Sequence, residues 1–268
     1  MSESDVLASA DLERRFGGVA RLYGEAGAAH VRAAHVAVVG IGGVGSWAAE
    51  ALARSAVGRI TLIDLDHISE SNTNRQIHAL GDTYGQSKVT AMAARIAEIN
   101  PACEVFPIDD FVTADNVGQL IGSFDQVLDC IDNVNAKAAL IAHARRADMP
   151  VITCGAAGGR LDPTRIRQGD LATINGDPLL AKVRQRLRRD HGFPRDEGTR
   201  RAAFGVTAIY SDEPVRRPSA ECVAHTGELV AGLSCAGYGS SVTVTATMGL
   251  VAAAVALTQL AAGGHRGT

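Results

Sequence analysis

The sequence lacks the cysteine pairs that disulfides and zinc sites require. Its five cysteines are an odd number and include no CxxC motif; they are Cys103, Cys130, Cys154, Cys222 and Cys235. This argues against a disulfide framework and against a four-cysteine zinc site. The polar segment MSESDVLASADLERRF (1–16) has no apolar region of the kind found in secretory signal peptides. We therefore expect a cytoplasmic protein.

Aromatic residues and an excess of charge of either sign are also scarce. Aromatics make up 4% of the 268 residues, and the formal net charge is −3. The overall charge therefore predicts no affinity for nucleic acids, which leaves only local clusters of positive charge to consider. A hydrophobic content of 46% with 29 glycines is typical of α/β proteins.

Strand and helix patterns alternate over the first 155 residues. Short apolar runs predict strands at 35–40, 59–64, 103–109, 125–130 and 150–155, with a further strand at 203–211. Helical spacing separates them, at 43–58, 87–101, 113–121 and 135–149. This alternation predicts an α/β fold with a doubly wound, mainly parallel, Rossmann-like sheet.

An apolar stretch near the C-terminus, at 240–262, raises the question of a membrane span. A spanning helix needs about 20 apolar residues. This stretch contains several Ser and Thr, and its many Ala and Gly are only weakly apolar. A buried core helix is the favoured interpretation, with membrane association as the alternative.

A glycine motif, GIGGVG (40–45), lies between a predicted strand and a predicted helix. Its glycines permit a tight turn and let backbone N–H groups and the helix N-terminus approach a phosphate. Asp64 follows Gly45 by 19 residues, at the end of the next strand, where it suits a ribose hydroxyl. The motif predicts nucleotide binding but does not distinguish NAD from ATP.

Charged residues beyond that strand favour ATP. Attack on the α-phosphate of ATP builds negative charge on the leaving pyrophosphate, which enzymes meet with Arg, Lys and Mg²⁺. Arg75 can bind phosphate oxygens bidentately, and Lys88 lies in the first turn of a predicted helix. Asp132 and Asn133 end a strand, where they suit a Mg²⁺ site. The alternative is that these are surface ion-pair residues and a helix cap.

Together, the segments GIGGVGSWAAEALARSAVGRITLIDLDHISESNTNRQIHA, GQSKV and LDCIDN resemble the adenylating core of ubiquitin-activating enzymes and of molybdopterin-synthase and thiamine-pathway adenylyltransferases. The resemblance implies an ATP site made of Gly40, Gly42, Gly43, Gly45, Asp64, Asp66, Asn72, Asn74, Arg75, Lys88, Asp132 and Asn133. Within it, Arg75, Lys88 and Asp132 would be catalytic, with Asp132 serving the Mg²⁺ on ATP. Such enzymes are usually homodimers in which an N-terminal arginine reaches the partner's site; Arg15 and Arg21 are the candidates here.

The absence of CxxC pairs and the segments RFGGVARLYGEAG, DDFVTADNV, GAAGGRLDPTRI and SCAGYGSSVTVTATMG indicate one branch. They resemble the bacterial tRNA threonylcarbamoyladenosine dehydratases over nearly the whole chain. The resemblance implies ATP-dependent activation of the threonyl carboxylate on adenosine-37 of tRNA, ring closure by the carbamoyl group, and release of AMP. It also implies Mg²⁺, a bound Na⁺ or K⁺, and cysteine-desulfurase or sulfur-acceptor partners.

Two other functions are weighed against this one. The first is an adenylyltransferase for a ubiquitin-like sulfur carrier, which CxxC pairs would have favoured. The second is an NAD oxidoreductase or a nucleotide-sensing module, against which Arg75, Lys88 and Asp132 argue. We accordingly divide the chain into an N-terminal helical segment (1–34), an ATP-binding core (35–159) and a C-terminal substrate-binding part (160–268) of the same globule.

A basic stretch at 182–201 is the candidate tRNA contact, through Arg186, Arg188 and Arg189. A solvated helix face is the alternative interpretation. Cys235 is a candidate acyl acceptor, although cyclisation needs no protein nucleophile because the carbamoyl group can attack directly. His78 either lines the site or packs in the core.

Overall fold

The computed structural model describes residues 10–195, 202–216 and 238–263. Its strands are β1 (His35–Val39), β2 (Arg59–Ile63), β3 (Glu104–Ile108), β4 (Gln126–Asp129), β5 (Val151–Cys154), β6 (Ile166–Asp170) and β7 (Thr207–Ser211). Its α-helices are α1 (Leu12–Ala33), α2 (Gly45–Arg54), α3 (Lys88–Ile99), α4 (Val117–Leu120), α5 (Val134–Arg146), α6 (Pro178–Asp190) and α7 (Val242–Ala261). Short 3₁₀ turns lie at Glu70–Asn72 and Pro163–Arg165.

The strands form one sheet in the order β3-β2-β1-β4-β5-β7-β6. All neighbouring pairs are parallel except β6 and β7, which are antiparallel at one edge. The predicted doubly wound, mainly parallel fold is therefore confirmed. The chain order reverses between β1 and β4, and in such sheets the crevice at that switch point, beyond the carboxyl ends of the strands, is where ligands bind.

Two apolar layers cover the sheet, one on each face. Along β1, Val36 and Val38 pack into the layer formed with α1, α2, α3 and α7. Ala37 and Val39 face the other layer, which includes α5 and α6. Alternate residues of a strand point to opposite faces, so a central strand buried on both sides reads as one continuous apolar run.

The apolar C-terminal stretch is helix α7, which packs against α2 and α1. Its residues Val244, Met248, Ala252, Ala253 and Ala256 are fully buried in the first layer. By length and composition alone this helix could cross a membrane, but half of its most apolar window is buried inside the protein. The apolar residues of this helix therefore form part of the core, as predicted by the favoured interpretation of the sequence.

Several elements differ from the sequence predictions, and the strand expected at 203–211 begins only at Thr207. Strand β6 was not predicted, because its sequence IRQGD is polar and it lies at the sheet edge. The helix expected at 113–121 is reduced to Val117–Leu120, since the side chain of Asn116 bonds Thr113 and Phe111 in a turn instead. Helix α2 ends at Arg54, four residues before Gly58, and Ala56 takes the left-handed conformation with φ of 64°.

Candidate functional site

A cavity of about 800 Å³ opens at the carboxyl ends of β1, β2, β4 and β5. Ten of the twelve residues expected to hold ATP line it; they are Gly40, Gly42, Gly43, Asp64, Asp66, Asn72, Arg75, Lys88, Asp132 and Asn133. The remaining two, Gly45 and Asn74, lie beside it. The switch point of the sheet thus brings together residues that are up to 93 positions apart in the sequence, from Gly40 to Asn133.

The glycine turn requires its glycines for close backbone approach. Gly40 has φ of 87°, and a Cβ there would lie 2.9 Å from the backbone carbonyl of Cys130. A Cβ on Gly45 would overlap the carbonyl oxygen of Gly40. Helix α2, which follows, has no side-chain hydrogen bond at its N-cap residue Val44. Gly42, Gly43 and Val44, which lead into this helix, line the cavity, so an anion bound there would lie at the helix N-terminus.

Asp64 fastens the turn to the end of β2. Its Oδ2 accepts a 2.6 Å hydrogen bond from the backbone N–H of Ile41, and its Oδ1 accepts one of 2.9 Å from the N–H of Asp66. The side chain is 8% exposed, and burial raises the pKa of this carboxyl while nearby Lys88 opposes the shift. Asp64 thus shapes the turn as well as presenting its carboxylate to the cavity.

Lys88 is the first residue of α3, as predicted, and reaches back toward β2. Its Nζ lies 2.7 Å from Oδ2 of Asp66 and 3.7 Å from Oδ1 of Asp64. The lysine is 5% exposed, whereas the side chain of Asp66 is 57% exposed. Two carboxylates therefore hold the ammonium group at the edge of the cavity before any ligand is bound.

Arg75 lies across the glycine turn. A Cβ built on Gly43 would lie 3.1 Å from Cγ of Arg75, which shows how closely its stem approaches the turn. The guanidinium Nη1 donates to the carbonyl oxygen of Ser71 at 2.7 Å and to Oδ1 of Asn74 at 3.0 Å. Asn74 itself donates to the carbonyl oxygen of Ser240, so its side chain contacts Arg75 and the start of α7, not the cavity.

Asp132 and Asn133 follow β4 and differ in what they can offer a ligand. Asn133 is the N-cap of α5 and accepts hydrogen bonds from the N–H groups of Asn135 and Ala136. Asp132 is exposed on the cavity wall, and its carboxylate has no hydrogen-bond partner within the part of the chain described. Asp132 therefore offers a ligand its whole carboxylate, whereas Asn133, whose Oδ1 caps α5, can offer only its side-chain N–H₂ group.

Beneath this loop lies a fully buried ion pair. Nζ of Lys137 is 2.9 Å from Oδ2 of Asp129, and both side chains are 0% exposed. Thr153 bridges them, accepting from Lys137 at 3.1 Å and donating to Asp129 at 2.7 Å. Burial raises the pKa of the Asp129 carboxyl, and Lys137 opposes the shift. The other oxygen of Asp129 binds the N–H of Ile131 at 3.2 Å, so the pair supports the loop that carries Asp132.

Several cavity residues were not predicted. They include Gln76, loop residues 110–114, Ala156, Ala157, Leu179 and Thr245. Gln76 is 6% exposed, and its Oε1 has no hydrogen-bond partner among the described residues. Its position directly after Arg75 was the available signal. Thr245 comes from a helix that is distant in sequence, and no spacing rule would have found it.

The cysteines and the N-terminal arginine Arg15 differ in where the structure places them. Cys235 lies outside the described residues, so its predicted role is not addressed. Cys130 lines the cavity, but a sulfur contact with Cys154 and burial raise the pKa of its thiol well above the ordinary value. Arg15 donates to the carbonyl oxygens of Glu98 and Ile99 at the end of α3 in its own chain.

The three arginines proposed to contact tRNA lie on α6, whose second residue, Leu179, lines the cavity. Arg186 and Arg189 both pair with Asp190, at 3.0 Å and 2.7 Å. Arg188 is turned toward the protein, with its guanidinium 5.3 Å from the centre of the Phe204 ring. At about 1.5 Å per residue, Arg186 and Arg189 lie roughly 10–15 Å along the helix from the cavity.

Comparison with known proteins identifies the family. The ThiF family model matches residues 16–265. The chain belongs to the ThiF family. It is 48% identical over 263 residues to the tRNA threonylcarbamoyladenosine dehydratase of Escherichia coli, covering 96% of this chain and 97% of that protein. Such a relationship over nearly the full length places this ThiF-family chain in the dehydratase branch.

Solved structures and a more distant relative agree with this assignment. The crystal structure of the Escherichia coli dehydratase with ATP has a TM-score of 0.85 and 46% identity, covering 97% of this chain and 99% of that one. Its AMP complex has a TM-score of 0.84, with 47% identity over 95% and 97% of the two chains. The molybdopterin-synthase adenylyltransferase of Salmonella typhimurium is 40% identical over 124 residues, or 46% of this chain and 49% of that protein.

His78, next to the site, predicts a pH dependence of stability. It is 2% exposed, and neither ring nitrogen has a hydrogen-bond partner among the described residues. Burial, with Lys88 and Arg95 nearby, lowers its pKa to about 4. The unfolded state therefore binds a proton on this imidazole more tightly than the folded state does. As a result, the contribution of His78 to the free energy of unfolding is fully present above pH 6.5 and decreases by about 3 kcal/mol as the pH falls to 4.

The measurement is urea unfolding between pH 4 and 7 for the wild type, His78→Gln and His67→Gln. His67 is an exposed histidine that serves as the control. The His78 variant should lose part of the decline in stability with falling pH, and the His67 variant should retain it. Identical pH profiles for the wild type and the His78 variant would contradict the prediction.

Proposed function

We propose that this chain catalyses the ATP-dependent dehydration of N6-threonylcarbamoyladenosine at position 37 of tRNA. The cavity supports this function because it combines an uncapped helix N-terminus, an arginine and a lysine at the crossover of the sheet. The 48% identity to a tRNA threonylcarbamoyladenosine dehydratase, over 96% of this chain, supports the choice of substrate. The fixed cations beside the glycine turn carry the ATP-dependent part of the proposal, and the identity to the dehydratase carries the tRNA substrate.

Two chemical steps account for the overall reaction. The threonyl carboxylate attacks the α-phosphorus of ATP, the bond to pyrophosphate breaks, and an acyl-adenylate forms. The carbamoyl group then attacks the acyl carbon and loses a proton, and AMP leaves as the ring closes. The oxygen atom of the eliminated water leaves with AMP, so no protein nucleophile is needed and Cys235 is not required for the balance.

Each charged residue has a role that follows from its position. The N–H groups at the start of α2 bind a phosphate, and Asp64 presents its carboxylate to the ribose. Arg75 and Lys88 stabilise the charge that develops on pyrophosphate, and they are already in place when ATP arrives. We propose these assignments from the hydrogen bonds that hold the two cations at the cavity wall.

Mg²⁺ fits the cavity only in combination with ATP. Among the described residues no group of three or more His, Cys, Asp or Glu could hold a metal ion. Mg²⁺ is commonly bound by one or two carboxylates together with substrate phosphates and water. The exposed carboxylate of Asp132 meets that requirement, and the metal would add positive charge to the phosphates there. A Na⁺ or K⁺ site and a sulfur-relay partner stay predictions.

Mass spectrometry of tRNA nucleosides tests the function. The wild type with ATP should convert threonylcarbamoyladenosine into a product lighter by one water and should release AMP and pyrophosphate in equal amounts. Lys88→Met should slow pyrophosphate release by on the order of 10²–10³, because one preorganised charge is removed. The control is Arg59→Ala, an exposed arginine at the start of β2, which should behave as the wild type. Unmodified tRNA after incubation with the wild type and ATP would refute the function.

The basic face of α6 is the proposed tRNA contact. Asp190 neutralises part of the charge of both Arg186 and Arg189. Removing the carboxylate in Asp190→Asn should therefore tighten tRNA binding. Arg186→Ser with Arg189→Ser should weaken binding and flatten its salt dependence by about two phosphate contacts at most.

Affinity measured at several salt concentrations distinguishes these outcomes. The control is Arg54→Ser, because Arg54 forms an i,i+4 ion pair with Glu50 just as Arg186 does with Asp190, but on the opposite face of the sheet. ATP affinity should be the same in all variants. If Asp190→Asn and the double variant both bind tRNA as the wild type does, the arginines form only a solvated helix face.

A homodimer is the proposed assembly, with Arg21 reaching the partner's site. Arg15 is already bound within its own chain, whereas Arg21 is exposed on α1. Sedimentation should give twice the chain mass of 27.8 kDa. Inactive Arg21→Ala and Lys88→Met chains, when mixed and allowed to exchange, should regain about a quarter of the wild-type activity, because half of the dimers then hold one complete site. A fully active monomer would contradict the assembly.

A further inference from the structure

The only tryptophan in the chain, Trp47, lies in the first turn of α2, directly after the glycine turn. Its indole Nε1 donates a 2.9 Å hydrogen bond to the backbone carbonyl oxygen of Arg75. Trp47 does not line the cavity, and none of the functional roles above involves it. The contact joins the phosphate-binding helix to the segment that carries the catalytic arginine.

The other side-chain and backbone contacts of Arg75 are mostly local. Its N–H bonds the carbonyl oxygen of Asn72 at 3.0 Å, and its guanidinium bonds Ser71 and Asn74. These hydrogen bonds join residues 71–75 to one another and do not connect the segment to helix α2. The indole hydrogen bond differs, because it fixes the main chain of Arg75 relative to α2, where the phosphate is expected to bind.

Trp47 is itself held from behind by the C-terminal helix. A Cβ built on Gly249 of α7 would lie 3.2 Å from Cβ of Trp47 and 3.0 Å from the N–H nitrogen of Ala48. It would also overlap the carbonyl oxygen of Val44. Glycine therefore lets the two helices touch along their backbones. In a contact this close, the Trp47 backbone has little freedom to shift.

We propose that Trp47 is a positioning residue, which sets the distance between Arg75 and the nucleotide phosphates through its indole N–H. The inference rests on the proposed phosphate role of Arg75 and adds the residue through which that role is enforced. It predicts that Trp47 matters for steps that involve the β- and γ-phosphates. It also predicts little effect on AMP, which lacks these phosphates.

Trp47→Phe is the test variant, because phenylalanine keeps an aromatic ring but lacks the N–H donor. Pyrophosphate formation should slow by about tenfold, the scale expected for losing one aligned hydrogen bond. AMP affinity should be the same as in the wild type, which also shows that the fold is intact. The control is Tyr84→Phe, which removes the 2.6 Å hydrogen bond from Tyr84 to Thr73 in the same segment without touching Arg75.

Combining the variants separates positioning from a general structural role. In an Arg75→Lys background, Trp47→Phe should add little further loss, since residues that act through one group are not additive. A full additional tenfold loss in that background would overturn the inference, as would a wild-type rate for Trp47→Phe alone. Loss of AMP affinity in Trp47→Phe would also overturn it, because the residue would then support the fold in general.

The proposed function fails in a distinguishable way. If Arg75→Lys and Arg75→Ala both form pyrophosphate at the wild-type rate, Arg75 has no phosphate role and the inference falls with it. If the arginine variants are impaired while Trp47→Phe is not, only the positioning role of Trp47 is wrong.

Discussion

Close backbone contact around the glycine turn is the constraint on which the site depends. Gly45 touches the carbonyl of Gly40, and Gly40 touches the backbone after β4. Helix α7 closes on the same turn from behind at Gly249. Because no side chain intervenes, the backbone of Gly42, Gly43 and Val44 lines the cavity at the N-terminus of α2. The three contacts join segments that are about 200 residues apart in the sequence, so the glycine turn is shaped by helices from distant parts of the first layer.

The same turn organises the charges around it. Asp64 binds the N–H of Ile41 and lies close to Lys88, so one carboxylate fixes both the turn and a cation. Arg75 packs its stem on Gly43 and is held by Trp47. Fixed charges of this kind need no reorganisation when negative charge develops on a ligand, which is the physical basis of the role proposed for them. An exposed pair of the same charges would contribute little.

Sequence patterns predicted the elements that obey local rules. The apolar run of β1, the glycine turn, Asp64 and the place of Lys88 at the start of α3 all follow from spacing along one βαβ unit and its continuation. Strand β6 was not predicted, because it lies at the edge of the sheet and its polar residues do not form an apolar run. The sequence did not predict the positions of Thr245, Trp47 and the Lys137–Asp129 pair, because each makes its contacts with a segment that is distant in the sequence. Asn74, which stays a predicted ATP-site residue, bridges Arg75 and Ser240.

The extent of similarity differs between relatives that share the ATP chemistry and relatives that share the substrate. Likeness to a molybdopterin-synthase adenylyltransferase extends over 46% of the chain, whereas likeness to the dehydratase extends over 96%. Activating a carboxylate with ATP needs the same cations whatever molecule bears the carboxylate, so the cavity alone does not select a tRNA. Selection must come from surfaces that the phosphate chemistry does not use. Helix α6 meets that condition, because it begins at the cavity with Leu179 and carries its arginines away from the ATP phosphates. A polynucleotide is large enough to reach both the cavity and these arginines.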